Sequence, residues 1–483
     1  MKAMHSPRFA NQVVTNLAAN VVQGVLGIAL IPFATRLLGP EDYGVYGMAI
    51  VVGGLVAALC ETGATYVLYG HFPGIPDGER RALISSLLIL STATGVVAGA
   101  LLWTFWPLLD RFDSILASLT PLEKALACMS VPFRTMWTIV SPILISQRRS
   151  TWVAACISLQ AVTGFAVVLL SLYVFEQDRT SLFWGNVVSA AAGLVLALCV
   201  IGRSAWAVPQ LRWLRKVAHM APGAWFAGLT DNVRATIESG AMARAAGSAG
   251  LGNYNHARLH YGLLLQGTNA FANVLWPLAL QDAKDRSSQF MRVRLAWNFV
   301  YLCLTLAGLV FVFFGDHIVR LLTNGKFDQA AAWIPFLVIY LLIQNSGKPA
   351  TAVLYAANRG NAISAIRIVC TGVALLAIVL LVPNFGIPAA IAIGIAEMSI
   401  TRVLVQVSAR RIQAIPFQDQ WVLLGCAVIG STWLLVHTLA LSVAERASLF
   451  ALVGAVLLLL AVRSIAAHSK MDTLSHLRAL FRK

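Results

Sequence analysis

Long apolar runs, separated by short polar segments, make up almost the whole chain. A bilayer core of about 30 Å is crossed by about 20 mostly apolar residues in a helix. By that length the runs predict fourteen membrane-spanning helices. We place the first six spans near 11–38, 45–69, 83–109, 123–146, 151–175 and 182–202. The next six lie near 219–243, 256–280, 293–314, 332–355, 362–382 and 388–408, and two more near 421–441 and 447–463.

The composition agrees with a body that faces lipid. Of the 483 residues, 58% are hydrophobic and 12% are charged, and the mean hydropathy is +0.76, whereas soluble domains carry roughly 25% charged residues. The seven cysteines all fall inside apolar runs without a CxxC pair, which indicates buried thiols. Nucleotide-binding and metal-binding motifs are missing from the sequence. We therefore expect an all-α polytopic membrane protein with no cofactor, no metal and no enzymatic activity.

The basic residues give a separate test of this helix map. The net charge of +16 comes from bases in the gaps between apolar runs, a pattern that indicates membrane topology and argues against nucleic-acid binding. With the N-terminus inside, cytoplasmic segments hold 22 of the 36 lysines and arginines and the opposite side holds eight. Such a bias follows the positive-inside rule. Both termini are expected to be cytoplasmic.

A basic segment near the middle divides the chain. Residues 203–219 carry Trp206 and Trp213 among several bases, which is typical of an amphipathic linker on an anionic leaflet. We expect an N-terminal six-helix bundle (1–202), this cytoplasmic linker (203–218) and a second six-helix bundle (219–410). The last two helices and a basic tail fill 411–483.

The two bundles share a repeated motif, R-x-x-G-x4-G-x-Y-x-x-A, at an offset of 208 residues. Each copy follows the first span of its half, where it predicts a tight turn. The first glycine would end a helix in the left-handed conformation, the second would let the chain re-enter the membrane, and the tyrosine would lie at the headgroup boundary. Because six is even, the halves have the same orientation, related by an axis along the membrane normal. The motif residues are Arg36, Gly39, Gly44 and Tyr46 in the first copy and Arg244, Gly247, Gly252 and Tyr254 in the second.

The segment RLLGPEDYGVYG at residues 36–47 closely resembles the motif of bacterial polysaccharide-repeat flippases. These belong to the multidrug, oligosaccharidyl-lipid and polysaccharide exporter superfamily. The resemblance extends over nearly the whole chain, including the linker, the second motif and the helix count. It implies movement of polyprenyl-pyrophosphate-linked oligosaccharides, such as O-antigen or exopolysaccharide repeats, from the inner to the outer leaflet. It also implies a role for Glu238, which lies where relatives commonly carry an acidic residue in helix seven.

Charged residues inside the spans are the candidate site, since such charges are costly in lipid and face cavities or partners. Asp231, Arg234 and Glu238 share one face of the seventh span, either as a closed structural triad or as a switch that responds to a proton or an anionic cargo. Arg134, in the fourth span, suits a pyrophosphate, and the alternative is a salt bridge with Glu61. Lys348 precedes Pro349 at an expected helix break and is the second phosphate candidate.

The remaining charges receive smaller roles. Glu397 and Arg402 in the twelfth span are expected either to pair or, for Glu397, to act with Glu61, Asp231 and Glu238 in ion coupling or gating. Arg367 is expected to be interfacial. The cationic cavity would hold Arg134, Arg234 and Lys348.

We therefore expect a flippase that works by alternating access, with a polysaccharide polymerase and glycosyltransferases as further partners. Alternatives within the superfamily are a drug or small-cation exporter and a lipid II flippase. A drug-cation exporter should have an acidic, aromatic-lined cavity. Outside transport, a membrane glycosyltransferase or ligase and a scaffold for glycosyltransferases are the rivals.

Overall fold

The computed structural model describes residues 7–480 except 61–63, 66–67, 69–71, 73–74, 148, 203–206, 221, 286–290, 358, 414–418 and 440. Every regular element within these residues is a helix. The first six membrane helices are α1 (Pro7–Leu37), α2 (Pro40–Cys60), α3 (Asp77–Phe112), α4 (Pro121–Ser146), α5 (Ser150–Tyr173) and α6 (Thr180–Ile201). A short helix, Ser114–Ala117, joins α3 to α4.

The second set of helices contains three breaks. Helix Pro222–Asp285 is interrupted at Gly247 and provides α7 (222–246) and α8 (248–285). After α9 (Met291–Thr323) and the short helix Asp328–Ala331, α10 is broken at Gly347 into Ile334–Ser346 and Lys348–Ala356. Helix Gly360–Arg410 is interrupted at Gly386 and provides α11 (360–385) and α12 (387–410). The last two are α13 (Asp419–Leu439) and α14 (Val443–Leu480).

These helices make fourteen passes, as the hydrophobic runs predict. Eleven helices of the described chain are long and apolar enough to cross a membrane, and one of them, Gly360–Arg410, crosses twice because of its kink. Pro222–Asp285 adds two more passes, since its 64 residues extend far beyond one bilayer at 1.5 Å per residue. The protein is therefore an all-helical, multi-pass membrane protein with two six-helix sets and two further helices.

Local sequence explains how tightly the helices are joined. Thr120 and Glu123 form a reciprocal capping box at the start of α4, and Pro121 occupies the first turn, where its missing N–H costs nothing. Glu123 is buried and also pairs with Arg179 before α6, at 2.8 Å. Burial would lower the pKa of Arg179, but the hydrogen bond to Glu123 and the surrounding carboxylates raise it above its ordinary value.

The hydrophobic cores differ between the two ends of the molecule. We call the end that carries residues 36–49 and 244–257 the motif end, and the end that carries the linker helix the linker end. At the motif end one core joins both halves, with Val45, Met48 and Val52 packed in the same cluster as Met242 and Leu251. At the linker end each half has a core of its own. The halves are therefore closed together at the motif end and packed separately at the linker end.

The central linker packs on protein more than the sequence predicts. It contains a short helix, Leu211–Met220, whose Trp213 is buried in the core of the first half rather than lying on a leaflet. Arg212 pairs with Glu79 of α3 at 3.1 Å, and the backbone N–H of Gln210 donates to Ser86. Trp206 lies outside the described residues. The linker helix is thus fixed to the start of α3.

Candidate functional site

The two motif copies pack against each other, and each second glycine is the point of contact. A Cβ on Gly44 would overlap the carbonyl of Ser248, and a Cβ on Gly252 would overlap the carbonyl of Pro40. Ser248 is the counterpart of Pro40 at the 208-residue offset, so the two contacts are reciprocal. Close backbone approach at these points requires glycine. The second glycines therefore serve a helix crossing between the halves, not the predicted re-entry of the chain.

The turns themselves also differ from the prediction. Residues 38 and 39 alone separate α1 from α2, and most of the first motif copy is helical. Gly247 has a φ of 69°, as expected of a helix-breaking glycine, but Gly39 does not have a positive φ. At Gly39 the N–H instead donates to the Asp42 carboxylate at 2.9 Å, and Pro40 begins α2. This local cap makes the turn between α1 and α2, whereas a left-handed residue makes the corresponding turn at Gly247. Arg36 and Arg244 are both exposed.

The motif tyrosines lie inside the protein rather than at a headgroup boundary. Tyr254 is buried, and its hydroxyl donates to Glu238 at 2.5 Å. Tyr46 packs edge-on against Phe183, with ring centroids 5.1 Å apart. The motif tyrosines therefore have different partners in the two halves, and the one in the second half contacts a candidate site residue.

Arg234 is the centre of a buried ion-pair network in the second half. Its guanidinium lies 3.5 Å from Glu238 and 2.5 Å from Glu397, and Thr371 donates to Glu397 at 2.8 Å. Among the described residues, neither Arg234 Nε nor Glu397 Oε2 has a hydrogen-bond partner. Both contacts are therefore ion pairs without hydrogen-bond geometry. One guanidinium therefore serves two carboxylates without saturating either, an arrangement that can change partners.

Asp231 is not the third member of this group. It pairs with Arg367 of α11 at 3.2 Å, so Arg367 also lies in the wall of this site; its interfacial position stays a prediction. Glu397 likewise pairs with Arg234 rather than with Arg402. The spacing in α7 correctly predicts the Arg234–Glu238 pair, but partners on α11 and α12 decide the rest because they approach from outside the helix.

These charges line a cavity of about 210 Å³ between α7, α8, α10, α11 and α12. Three further groups in its wall were not predicted from the sequence: Arg258, three tyrosines and Gln344. Arg258 is one of the eight bases that the sequence places opposite the cytoplasmic side, and its guanidinium lies over the Tyr254 ring, 5.7 Å from the centroid. Tyr261 donates to Gln344 at 3.0 Å. The i, i+3, i+4 spacing of Tyr254, Arg258 and Tyr261 on one helix face is a signal that would have indicated them.

Arg134 is not in this cavity. It lies in the first half, where it donates to the carbonyl of Ile50 at 3.4 Å and to Asn186 at 3.5 Å. A Cβ on Gly54 would approach both Arg134 and Asn232 of α7, at 3.4 and 3.7 Å, so Arg134 is close to the second half. Within the described residues no carboxylate pairs with it. Glu61, its predicted alternative partner, lies outside the described residues.

Lys348 lies apart from both arginines, at the predicted break in α10. Its ammonium donates to Asn269 at 3.4 Å and lies over the Trp297 ring, 5.5 Å from the centroid. No carboxylate among the described residues pairs with Lys348. The single cationic cavity predicted from the sequence therefore becomes three groups with different contacts. Arg134 and Lys348 have no paired carboxylate among the described residues, whereas Arg234 is neutralised in its network.

The comparisons with known proteins agree with this architecture. A family model described as polysaccharide biosynthesis protein matches residues 9–281. No individual curated protein is detectably similar in sequence. The lipid II flippase MurJ in an inward closed conformation has a similar structure (TM-score 0.67, 12% identity, 94% of this chain and 100% of that chain covered).

Two transporters of the MOP superfamily are also similar in structure. One is a multidrug resistance MATE family transporter in an inward-facing conformation (TM-score 0.62, 13% identity, 83% of this chain and 97% of that chain). The other, from Pyrococcus furiosus, is described as having a binding pocket of reverse polarity (TM-score 0.55, 12% identity, 84% and 94%). At these identities the likeness establishes the shared fold.

Proposed function

Because the chain belongs to the polysaccharide biosynthesis protein family, we propose that it is a flippase for polyprenyl-pyrophosphate-linked oligosaccharide repeats. It carries them from the inner to the outer leaflet of a bacterial inner membrane by alternating access. The linker end and both termini face the cytoplasm. A polysaccharide polymerase and the glycosyltransferases that build the repeat are the partners that this function implies, and the protein itself performs no bond chemistry.

The observation that carries this proposal is the guanidinium of Arg134, which has no paired carboxylate within the described residues. A guanidinium has five N–H donors, and the two bonds at 3.4 and 3.5 Å are longer than the roughly 2.7–2.9 Å of charge-assisted hydrogen bonds. A cation held inside a membrane protein without a carboxylate is costly, and a pyrophosphate offsets that cost bidentately. Its place beside α7 puts the bound headgroup between the two halves.

The packing of the halves supports entry from the linker end. The two separate cores there leave that end free to part, whereas the shared core and the glycine crossing close the motif end. In this state the headgroup enters from the cytoplasmic leaflet and meets Arg134. Lys348, which lies apart from Arg134, is a second phosphate contact elsewhere on its path. Release on the other side requires the motif end to open.

The acidic residues of the second half are our candidates for ion coupling. Glu238 and Glu397 share Arg234, so protonation of one carboxylate leaves the guanidinium with the other and changes the network. Asp231 and Arg367 form the more exposed pair. We expect the double substitution Asp231→Asn with Glu238→Gln to abolish ion-driven transport in vesicles. Unchanged transport in that variant would remove these acids from the coupling mechanism.

The test of the flippase proposal is a flipping assay in vesicles. The probe is a fluorescent polyprenyl-pyrophosphate-linked sugar, and its movement between leaflets is followed with a membrane-impermeant quencher. Loss of one charge-assisted contact is worth about 1.5–3 kcal/mol, so Arg134→Ala should slow flipping by roughly 10- to 100-fold. Arg134→Lys should retain part of the activity because the charge remains.

The matched control is Arg320→Ala, which removes an exposed arginine paired with Asp328 at the motif end. Its flipping rate should equal that of the unchanged protein. No movement of the probe by the unchanged protein, or equal rates for Arg134→Ala and Arg320→Ala, would contradict the proposal. Lipid II, used in place of the probe, separates the two flippase classes by rate.

A cation exporter is the second candidate, and one observation favours it. The cavity of the second half is lined by three carboxylates and three tyrosines, the acidic and aromatic lining that a drug-cation exporter requires. Three arginines in the same wall oppose cation binding. Export of a fluorescent lipophilic cation from the same vesicles, lost in Glu397→Gln and retained in Arg134→Ala, would establish this second function.

A further inference from the structure

Two buried histidines lie at the closed motif end, apart from all residues assigned above. His256 and His260 are on α8, one turn apart on the same face, with ring centroids 5.1 Å apart. They are 1% and 4% exposed. Among the described residues, neither ring nitrogen of His256 has a hydrogen-bond partner, nor does Nε2 of His260. Buried polar groups are rarely left in this state, so the pair calls for a physical reason.

His256 is at the contact between the two halves. Its ring lies 6.4 Å from that of Tyr43 on α2, which is the neighbour of the crossing glycine Gly44, and 4.6 Å from that of Phe327. Tyr43 in turn contacts Phe327 at 5.3 Å. His260 contacts Phe311 of its own half, at 5.5 Å. Aromatic rings from both halves therefore enclose His256, whereas the aromatic ring against His260 belongs to its own half.

The same contact surface buries other polar atoms without partners. Asn253 Oδ1 and Asn255 Nδ2 are both unbonded, and Asn255 packs against the backbone of Gly47, its counterpart at the 208-residue offset. A buried donor or acceptor that has lost water and gained no partner costs free energy. Water that enters on opening would satisfy these atoms. The motif end is thus closed by packing but easily opened.

The charges around the two histidines are all engaged elsewhere. On α2, Asp42 accepts from the N–H of Gly39, and on α9, Asp316 pairs with Arg446 and His317. Between α9 and α10, Asp328 pairs with Arg320, and Lys326 donates to the carbonyl of Arg36 on α1. On α8 itself, Arg258 lies over Tyr254. Within the described residues no carboxylate is left to stabilise an imidazolium.

We propose that protonation of His256 opens the motif end. The neutral imidazole is compatible with the closed contact between the halves, and the protonated imidazole is not. An imidazolium enclosed by Tyr43 and Phe327 would be a buried charge without a counter-charge, which is strongly unfavourable. Parting of the halves hydrates the ring, and a hydrated imidazole takes up its proton near pH 6.5. Protonation and opening therefore favour each other, and acid shifts the protein to the open motif end.

This inference rests on the proposed function for its biological use. With the motif end facing outward, the acidic side of an energised membrane would open the gate through which cargo leaves. The opening itself is independent of cargo. A measurement of opening without lipid-linked sugar therefore tests the histidine and leaves the flippase proposal to its own assay.

The experiment measures the distance between the halves at the motif end in lipid nanodiscs. Nitroxide labels are placed at Leu37→Cys on α1 and Leu321→Cys on α9, both exposed, in a full-length protein whose seven native cysteines are replaced. The backbones are adjacent there, since Thr35 donates to the carbonyl of Leu322 at 3.1 Å. The distance distribution is recorded by pulsed electron paramagnetic resonance at pH 8 and pH 5.

At pH 8 we expect one short distance between the labels. At pH 5 we expect a longer distance whose population is about tenfold or more higher than at pH 8. The reason is that each pH unit below the titration point changes a linked equilibrium by up to tenfold. His256→Gln and His256→Phe should keep the short distance at both pH values. The phenylalanine variant suits the aromatic surroundings, so it tests the idea even if the glutamine variant folds poorly.

Two matched controls separate this effect from general titration. His317→Gln removes an exposed histidine at the same end, and His260→Gln removes the neighbour that contacts only its own half among the described aromatic rings. Both should open at pH 5 as the parent does. An unchanged distance in the parent, or full opening in both His256 variants, would overturn the proposal. Loss of opening in His260→Gln with retention in His256→Gln would also overturn it.

Discussion

Two arginines inside the membrane helices, one in each half, have opposite surroundings. Arg134 of the first half has two long hydrogen bonds to neutral groups and no paired carboxylate within the described chain. Arg234 of the second half lies between Glu238 and Glu397. A guanidinium between two acids is neutralised by the protein, whereas Arg134 is the one that we propose for the phosphate of the cargo. The halves share a scaffold but differ in which charge they leave open.

The comparison also shows where the two halves remain equivalent. At the motif end, Gly44 contacts Ser248 as Gly252 contacts Pro40, so the duplicated sequence still makes a symmetric contact there. Deeper in the membrane the symmetry ends, since Glu238 corresponds to Leu30 at the same offset. Duplication therefore preserved the surface on which the halves meet and freed the interior of each half for separate roles.

Removal of each arginine in turn is the strongest test of the difference between Arg134 and Arg234. Arg234→Ala leaves two buried carboxylates facing each other and should destabilise the fold by about 3–5 kcal/mol, as removal of one partner of a buried ion pair does. Arg134→Ala leaves no described carboxylate without its partner and should change stability by less than about 1 kcal/mol. Thermal unfolding in detergent, followed by tryptophan fluorescence, measures both. Equal losses would show that the two sites are equally structural.

The motif tyrosines give a second matched pair. Tyr254 donates to a buried carboxylate, so Tyr254→Phe should cost about 1.5–3 kcal/mol, the worth of a hydrogen bond to a charged group. Its counterpart Tyr46 forms no hydrogen bond through its hydroxyl within the described residues, and Tyr46→Phe should stay within about 0.5 kcal/mol of the parent. The same unfolding measurement applies. A larger loss at Tyr46 would contradict the assigned asymmetry.

The crossing glycines test the opposite claim, that the halves are equivalent at the motif end. Gly44→Ala and Gly252→Ala each force a methyl group against a backbone carbonyl, and each should cost about 1–3 kcal/mol of contact between the halves. Both should lengthen the distance between labels at 37 and 321. Gly262→Ala, on α8 with open space around it, is the control and should leave the distance unchanged. Opposite shifts in the two glycine variants would disprove the symmetric crossing.

The smallest effect is expected at the partly exposed pair of the second half. Asp231 and Arg367 are 59% and 39% exposed, and exposed ion pairs contribute about 0–1 kcal/mol. Asp231→Asn should therefore change stability by less than about 1 kcal/mol, against the large loss at Arg234. A double-mutant cycle of the two residues gives the coupling energy directly. A coupling as large as that at Arg234 would place this pair in the same network.

The helices, their number and the repeat can be predicted from the sequence because each depends on short stretches of residues. Twenty apolar residues specify a membrane pass, and the spacing within α7 alone brings Arg234 beside Glu238. The fixed 208-residue offset shows that the halves are related. Local rules also mislead where a local alternative exists: Gly39 is capped by Asp42, so the left-handed turn that Gly247 needs is not required there.

The partners across helices could not be predicted in the same way. Arg367 reaches Asp231 from 136 positions away, and Glu397 reaches Arg234 instead of Arg402 on its own helix. Such pairs depend on how helices rotate and pack, which no local pattern records. The predicted eighth span begins near 256 and puts Arg258 at its outer end, whereas α8 begins at 248 and Arg258 lies in the cavity wall. An eight-residue error in one boundary moved a cavity residue out of the site.

The burial of Trp213 has a consequence for how the chain is made. Among the described residues its packing cluster contains residues between Ala64 and Val217 and none from the second half, so these contacts are available once the linker has left the ribosome. Domains generally fold as units in the order of their synthesis. The first half can thus complete its linker-end core before α7 leaves the ribosome, and the second half then folds against a finished first half.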